Sequence, residues 1–239
     1  MKVLAMTQKG TLKYENEDRI LINKYIISSG AFVDKTPKGL FAIADGVGGN
    51  NAGAVASHFL VNKLCRIEVI SEEALSQINE DLLDYSQKHT ELNGMATTLS
   101  GVQVSENNIV FFHTGNTRVY QICGGHYLKL LTSDDTTVNY LLITGRLTEQ
   151  EARHFNKKNE ITACYGGGKK ELFKVDIQSF DYSESCFLLC SDGIHDYVGI
   201  DEMEDIITAY GTTLKTCDEI ISTARANGSN DDASILILG

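Results

Sequence analysis

Proline, long apolar runs and signal-like segments are scarce in this chain. One proline occurs among 239 residues, and no Pro-rich, Ser-rich or single-charge tract marks a linker between domains. No stretch reaches the roughly 18 apolar residues that a membrane-spanning helix needs. The apolar stretch at the start of the chain is too short for a secretory signal. These absences predict a single domain over residues 1–239, located in the cytoplasm and without a membrane partner.

The six cysteines have none of the spacings of a zinc site. No CxxC pair occurs, and no histidine stands at zinc-ligand spacing from a cysteine. Cys186 and Cys190 share one face of an expected strand, but this spacing places them roughly 13 Å apart. That distance is too long for a disulfide. The cysteines are therefore expected to be reduced core residues.

Basic residues are also few. Lys and Arg number 21 against 32 Asp and Glu, which gives a formal net charge of −11 at pH 7. Such a field repels nucleic acid, whose binding depends on cations that neutralise its phosphates, so no nucleic-acid partner is expected. One local cation can still hold a single phosphate group. The alternative explanation of the excess charge is an acidic surface that only keeps the protein soluble.

Strand patterns recur along the whole chain. Short β-branched or aromatic runs predict strands at 20–27, 39–44, 108–112, 185–190 and 234–238. Two further strand patterns flank Gly124 and Gly125. This glycine pair predicts a β-hairpin, because glycine accepts the positive φ of a tight hairpin turn.

Helix patterns lie between these strands. Apolar spacing predicts helices at 55–67, 75–85 and 215–226, and residues 148–151 have the spacing of a helix capping box. Hairpin-linked strands with helices between them indicate an α+β fold, in which helices cover antiparallel sheets.

Short acidic motifs follow or precede the apolar runs. The residues in question are Asp45 with Gly46, Asp192 with Gly193, the pair Asp231-Asp232, and Glu17 with Asp18 before the run at 20–27. Taken singly, an Asp-Gly pair is a common turn, and an acidic strand end is often only solvated. If the fold brings these carboxylates together, they repel one another unless a hard cation neutralises them. Oxygen ligands of this kind suit Mg²⁺ or Mn²⁺.

The order of these motifs resembles the metal-dependent protein phosphatases of type 2C, in their compact bacterial form. The matching segments are Asn16-Glu17-Asp18-Arg19, Ala44-Asp45-Gly46-Val47-Gly48-Gly49, Ala96-Thr97-Thr98-Leu99, His113-Thr114-Gly115-Asn116-Thr117-Arg118, Ser191-Asp192-Gly193 and Asn230-Asp231-Asp232-Ala233-Ser234. Each motif alone is weak evidence, but six in the same order are specific. The resemblance implies a four-layer α-β-β-α sandwich of two antiparallel sheets flanked by helices. It also implies phosphoserine and phosphothreonine proteins as substrates and a Ser/Thr kinase as the opposing partner.

The resemblance further implies a site with two Mn²⁺ or Mg²⁺ ions, in which a hydroxide between the ions attacks phosphorus. Three aspartates would be the catalytic metal ligands: Asp45 would bridge both ions, and Asp192 and Asp231 would complete the ligands of the first ion. The Gly46 carbonyl would assist Asp45, and Glu17 and Asp18 would act near the second ion through water.

Three positions depart from the pattern of the family. Lys13 stands where members usually have a phosphate-binding arginine, so phosphate should be held less tightly, and the alternative is a plain surface lysine. Val47 stands where eukaryotic members have a histidine proposed as a general acid. Asn116 replaces an aspartate that many members use for an additional ion, which makes a third ion doubtful; its alternative role is to close a turn.

Two other functions stay open on the sequence. One is a phosphatase-like regulatory scaffold with little activity, and the other is a metal-dependent phosphatase of small metabolites. His58 and His113 are expected in packing or surface roles, while His195 either packs or lines the cleft. Arg118 is expected in a structural salt bridge, and residues 157–168 correspond to a variable flap.

Overall fold

The computed structural model describes residues 1–47, 52–152, 155, 160–181 and 186–239. The strands in these ranges are β1 (Lys2–Gln8), β2 (Asp18–Ile22), β3 (Tyr25–Ile27), β4 (Gly30–Lys35), β5 (Gly39–Val47), β6 (Ala96–Thr97), β7 (Leu99–Val104), β8 (Asn108–Thr114), β9 (Arg118–Cys123), β10 (Tyr127–Leu130), β11 (Tyr165–Gly166), β12 (Asp176–Asp181), β13 (Cys186–Cys190) and β14 (Ala233–Leu238). The α-helices are α1 (Ala52–Leu64), α2 (Glu72–Lys88), α3 (Thr137–Ile143), α4 (Glu149–Ala152), α5 (Asp192–His195), α6 (Ile200–Tyr210) and α7 (Leu214–Ala226). Short 3-10 turns lie at Thr90–Leu92 and Lys170–Leu172.

The strands form two sheets whose neighbours are antiparallel, as predicted. The first sheet has the order β10-β9-β13-β14-β1-β4. The second has the order β11-β6-β5-β7-β8-β12, and β2 pairs with both β3 and β5. No helix in the described ranges is long and apolar enough to cross a membrane.

Alternation along the strands builds the layers. In β1, Val3 and Ala5 pack in the core between the two sheets, while Leu4 and Met6 point to the opposite face and join the cluster formed with α6 and α7. Helices α1 and α2 cover the outer face of the second sheet through a third apolar cluster. The result is the four-layer α-β-β-α sandwich that the family resemblance implies.

Several predicted elements are confirmed. The hairpin of β9 and β10 turns at Gly124 and Gly125, whose φ angles are 58° and 88°. At the start of α4, Thr148 and Glu151 form the reciprocal hydrogen bonds of a capping box, at 2.8 Å and 3.3 Å. The last helix and the closing strand lie within one residue of their predicted bounds.

Two strand predictions at the N-terminus were wrong. The acidic segment ending at Asp18 does not precede the first strand, because β1 comes earlier in the chain and Asp18 itself opens β2. β1 lies between β4 and β14 with most of its residues buried, so it lacks the alternating pattern of a half-exposed strand. The run at 20–27 is two strands, since Asn23 turns the chain with a φ of 56°.

Candidate active site

The acidic motifs meet at one end of the two sheets. Asp45 near the end of β5 lies directly opposite Asp18 at the start of β2 in the register of the second sheet. Asp192 follows β13 and Asp231 precedes β14, two neighbouring strands of the first sheet. In a pair of antiparallel strands, one strand ends at the edge of the sheet where the other begins. These four carboxylates, which come from distant parts of the sequence, therefore face one region.

Asp45 lies within a strand and not in a turn. β5 continues through Asp45 and Gly46 to Val47, so the turn interpretation of this Asp-Gly pair is wrong. The threonine pair fixes its backbone: the Asp45 N–H donates to Thr98 Oγ1 at 3.1 Å, and Thr97 Oγ1 donates to the Asp45 carbonyl at 2.9 Å. Both threonines are fully buried, so they act through the placement of Asp45.

Asp192 is held from the side by Asn116. The Asn116 Nδ2 group donates to Asp192 Oδ2 at 3.0 Å, while Asn116 Oδ1 is buried and has no hydrogen-bond partner among the described residues. Asn116 therefore faces the candidate site and is not only a turn residue. The buried His195 lies 2.9 Å from the Asn116 carbonyl oxygen through Nε2, and this nitrogen donates, because a carbonyl only accepts. His195 packs behind the site and does not line the cleft.

Lys13 bridges two of the acidic residues. Its Nζ donates to Glu17 Oε2 at 2.7 Å and lies 3.1 Å from Asp231 Oδ1. Burial opposes the positive charge, but the contacts with these two carboxylates outweigh it and raise the pKa of Lys13. Lys13 is thus not a plain surface lysine: its ammonium lies among the predicted metal ligands.

Asp232 has a structural role that the sequence did not reveal. Its Oδ1 accepts the Gly10 N–H and its Oδ2 accepts the Glu17 N–H, both at 2.7 Å. The side chain is buried, so the loop that carries Lys13 is tied to the start of β14. The sequence showed the pair Asp231-Asp232, but nothing in it separated the residue that faces the site from the one that binds backbone.

Close backbone packing requires glycine at positions 46 and 193. A Cβ on Gly46 would lie 2.3 Å from the Gly53 carbonyl oxygen, and one on Gly193 would lie 1.8 Å from the Asp232 carbonyl oxygen. A Cβ on Gly53 would in turn lie 2.7 Å from both the Gly46 carbonyl oxygen and Glu17 Oε1. Two predicted ligand oxygens therefore converge beside the start of α1.

Burial and mutual repulsion make the carboxylates hard to ionise. Burial raises the pKa of Asp45 well above its ordinary range, and the charges of Asp192, Asp18 and Asp231 raise it further. Burial likewise raises the pKa of Asp18 to about 7, helped by the charge of Asp232. The pKa of Asp192 is raised mainly by burial. This cluster needs positive charge to be fully ionised at neutral pH.

The donor atoms fit a hard divalent cation, although the ligands are not gathered around one point. In the described part of the chain, no three acidic, histidine or cysteine side chains are arranged as a metal-ligand group. The available donors are carboxylate and carbonyl oxygens, as Mg²⁺ and Mn²⁺ prefer. Asp18 Oδ1 is buried, and none of the residues that the structure describes forms a hydrogen bond with it.

Comparison with known proteins identifies the family. The family model described as protein phosphatase 2C matches residues 28–228. The chain belongs to the protein phosphatase 2C family. It is 30% identical to the serine/threonine phosphatase stp of Listeria monocytogenes serotype 4b, over 97% of this chain and 93% of that protein.

Solved structures of phosphatases agree with this assignment. Serine/threonine phosphatase Stp1 from Staphylococcus aureus superimposes with a TM-score of 0.83 at 28% identity, covering 98% of this chain and 93% of that one. The Mycobacterium tuberculosis phosphatase PstP/Ppp gives a TM-score of 0.81 at 25% identity, over 98% and 97%. These similarities confirm the predicted type 2C sandwich.

The remaining predicted residues are placed as follows. Arg118 makes the expected salt bridge, with Nη2 2.7 Å from Asp134 Oδ2, and His113 is buried and bonded to Ser100. His58 is exposed on α1. Gly48 and Gly49 of the second motif and residues 157–159 of the flap lie outside the described residues. At the end of the flap, Gly166 pairs with Ala96 in the second sheet.

Proposed function

We propose that Asp45, Asp192 and Asp231 form the catalytic centre of a metal-dependent phosphatase that acts on phosphoserine and phosphothreonine in proteins. The function itself follows from membership of the protein phosphatase 2C family, to which the similar serine/threonine phosphatases named above also belong. The observation that supports the centre is the convergence of carboxylates from four separate segments at one end of the sandwich. A chain that only served as a scaffold would not need this costly cluster of buried charge.

The enzyme is metal-dependent, and we propose the following metal ligands. We assign Asp45 as the ligand that two Mn²⁺ or Mg²⁺ ions would share, because its buried carboxylate lies opposite Asp18 in the sheet and is affected by the charges of Asp192 and Asp231 as well. Bound ions would neutralise the substrate phosphate and activate water for attack on phosphorus. The other assigned ligands are Asp192, Asp231, the Gly46 carbonyl and, through water, Glu17 and Asp18.

Lys13 is assigned to the substrate phosphate. Its ammonium is paired with Glu17 and Asp231. Bound metal ions would compensate the charge of these carboxylates, and the ammonium would then be free to donate to phosphate oxygens. A lysine offers a point charge and not the paired donors of arginine, so phosphate binding at Lys13 should be weaker and less directional than at an arginine.

Asn116 argues against a firm third ion. Its side chain faces Asp192 and offers one neutral carbonyl oxygen, the unpartnered Oδ1. A neutral oxygen attracts a hard cation much less than a carboxylate does. We therefore propose two ions and no tightly held third one.

The wider setting is also a proposal. The chain is taken as one domain over residues 1–239, acting in the cytoplasm against a Ser/Thr kinase, with no nucleic-acid or membrane partner. All six cysteines are free thiols, which suits a reducing compartment. The net charge of −11 disfavours nucleic acid.

The function is tested with a phosphothreonine peptide, a panel of phosphorylated metabolites and purified protein. Hydrolysis of the peptide should require Mn²⁺ or Mg²⁺ and stop with EDTA. Asp192→Asn should lower kcat by about a thousandfold or more, because it removes ligand charge from the ion. Asp218→Asn on the exposed face of α7 is the matched control and should leave kcat unchanged.

Three outcomes would contradict the proposal. Hydrolysis that persists in excess EDTA excludes the metal mechanism. Near-normal turnover of Asp192→Asn removes Asp192 from the centre. Activity on metabolites alone, with the peptide untouched, transfers the same chemistry to a different substrate class.

A further inference from the structure

A cavity of about 380 Å³ lies beside the candidate active site, between α1 and α2. Arg19 of β2, one face of α1 and Tyr85 of α2 form its walls. A cavity of this size holds a small ligand or a few side chains of a bound peptide. The proposed metal ligands are not among its lining residues.

Positive groups dominate this cavity, although the chain as a whole is acidic. Its lining has three Lys or Arg residues and one histidine against a single carboxylate, Glu15. In the whole chain, by contrast, Asp and Glu outnumber Lys and Arg by 32 to 21. We call the cavity the basic groove and define it by Arg19, His58, Lys63, Arg66, Phe59 and Tyr85. A local excess of positive charge on an acidic protein is complementary to an acidic ligand.

The groove has an aromatic floor and a cationic rim. Phe59 and Tyr85 pack with ring centroids 5.1 Å apart, and the Lys63 ammonium lies 5.5 Å from the Phe59 centroid. Lys63 is also paired with Asp81 at 2.6 Å, so part of its charge is already compensated. Arg66 is exposed, and Nη2 donates to the neutral Asn62 Oδ1 at 3.0 Å. This partner is neutral, and a guanidinium has five N–H donors, so Arg66 has further donors for an anion.

Chain connectivity brings the groove next to the catalytic region. Arg19 directly follows Asp18, and its Nη1 donates to the Asp18 carbonyl at 2.8 Å. At the other wall, Ala54 directly follows Gly53, which packs against the Gly46 carbonyl oxygen and the Glu17 carboxylate. From Ala54 to Lys63 the helix rises about 14 Å, which an extended peptide spans with about four residues.

We propose that the basic groove binds an acidic segment of the phosphoprotein substrate, about four to six residues from the phosphorylated side chain. The inference rests on the proposed phosphatase function and adds a sequence preference to it. The anion is a carboxylate or a second phosphate group on the same substrate chain. The aromatic floor contacts the apolar parts of the side chains in the bound segment, and the Arg66 guanidinium binds its anionic group.

The test uses phosphothreonine peptides that differ only at the fourth to sixth positions on both sides of the phosphorylated residue. One peptide has Glu there, one has a non-hydrolysable phosphonate analogue of phosphoserine, and one has Lys. The wild-type protein with Mn²⁺ should show a kcat/KM about tenfold higher for the Glu peptide than for the Lys peptide, a preference that weakens at high salt. Arg66→Glu should abolish or reverse this preference and leave the hydrolysis of p-nitrophenyl phosphate unchanged. Lys24→Glu, which changes an exposed lysine in the turn after β2, should keep the preference.

Each result decides the matter. Equal rates on the Glu, phosphonate and Lys peptides, or an unchanged preference in Arg66→Glu, overturn the groove while the phosphatase function stands. Failure to hydrolyse any of the peptides with Mn²⁺ contradicts the function and the groove together. A higher kcat/KM for the Glu peptide or for the phosphonate peptide than for the Lys peptide, lost in Arg66→Glu, supports the groove.

Discussion

At the scale of single residues, the candidate site is a set of charges that compensate one another. Asp18 and Asp45 lie opposite each other on neighbouring strands, and burial together with nearby negative charges raises the pKa of both. Lys13 supplies one positive charge to Glu17 and Asp231. The site is therefore sensitive to any change that alters its charge by one unit.

The Lys13 assignment predicts a split between two substitutions. Lys13→Ala should raise KM about tenfold, since a charge-assisted hydrogen bond to phosphate is lost, and Lys13→Arg should hold or lower KM. Steady-state kinetics on a phosphothreonine peptide measures both. Lys129→Ala, an exposed lysine on β10, is the control and should not change KM. Unchanged KM in both Lys13 variants would show that Lys13 does not bind substrate.

Residue types were easier to predict than residue contacts. The sequence indicated Asp45, Asp192 and Asp231, because acidic residues at strand ends are visible in the pattern. It did not indicate that Asp232 holds the Lys13 loop through two backbone N–H groups, or that Lys13 bridges two carboxylates. The contacts made by Asp231 and Asp232 join positions more than 200 residues apart, and no local pattern records them.

At the scale of elements, α5 places Asp192 through backbone contact. Gly193 lies so close to the chain at Asp232 that no side chain fits between them. Ser229 Oγ also donates to the Gly193 carbonyl at 2.7 Å, which joins this short helix to the segment before β14. The position of Asp192 thus depends on the packing of two loops.

Gly193→Ala should therefore disturb both stability and catalysis. A Cβ 1.8 Å from the Asp232 carbonyl forces α5 away, which should cost about 2 kcal/mol of unfolding free energy and lower kcat at least tenfold. Gly199→Ala is the matched control, because no atom lies within 4 Å of its Cβ, and it should change stability by less than about 0.5 kcal/mol. Urea unfolding and peptide turnover measure the two effects. Equal behaviour of the two variants would contradict this account of Gly193.

The elements that the sequence predicted best are those with a local signal. The glycine hairpin, the capping box and the last helix carry turn residues or an apolar stripe that the chain alone specifies. β1 has no such signal, because it is buried between β4 and β14 and its pairing partner β14 lies at the other end of the chain. The continuation of β5 through Asp45 was hidden for a similar reason: its pairing with Asp18 and with β6 overrides the turn preference of Asp-Gly.

At the scale of the whole molecule, the site lies at one end of the sandwich, where the two sheets lie side by side. The first sheet provides Asp192 and Asp231, and the second provides Asp18 and Asp45. Repulsion among these groups opposes the packing of the two sheets whenever the carboxylates are ionised without a counter-charge. Stability of the sandwich should therefore depend on pH and on divalent cations.

Metal binding should stabilise the protein more at high pH than at low pH. The folded-state pKa of Asp18 is about 7 against an ordinary value of 3.8, so its contribution to stability is complete below the ordinary value and is lost as the pH rises toward 7. Asp45 acts in the same direction. Mn²⁺ binds the ionised carboxylates, so the rise in Tm on adding Mn²⁺ to EDTA-treated protein should be larger at pH 8 than at pH 5.5. Equal shifts at both pH values would contradict the coupling.

The most direct test of the central claim is the position of the metal in a crystal of the Mn²⁺-bound protein, located by anomalous scattering. We expect two Mn²⁺ ions that share Asp45, with Asp192 and Asp231 on one of them, no third ion at Asn116, and the Lys13 ammonium moved away from Glu17 and Asp231. Mn²⁺ bound away from Asp45, or Lys13 still between Glu17 and Asp231 in fully loaded protein, would contradict the account.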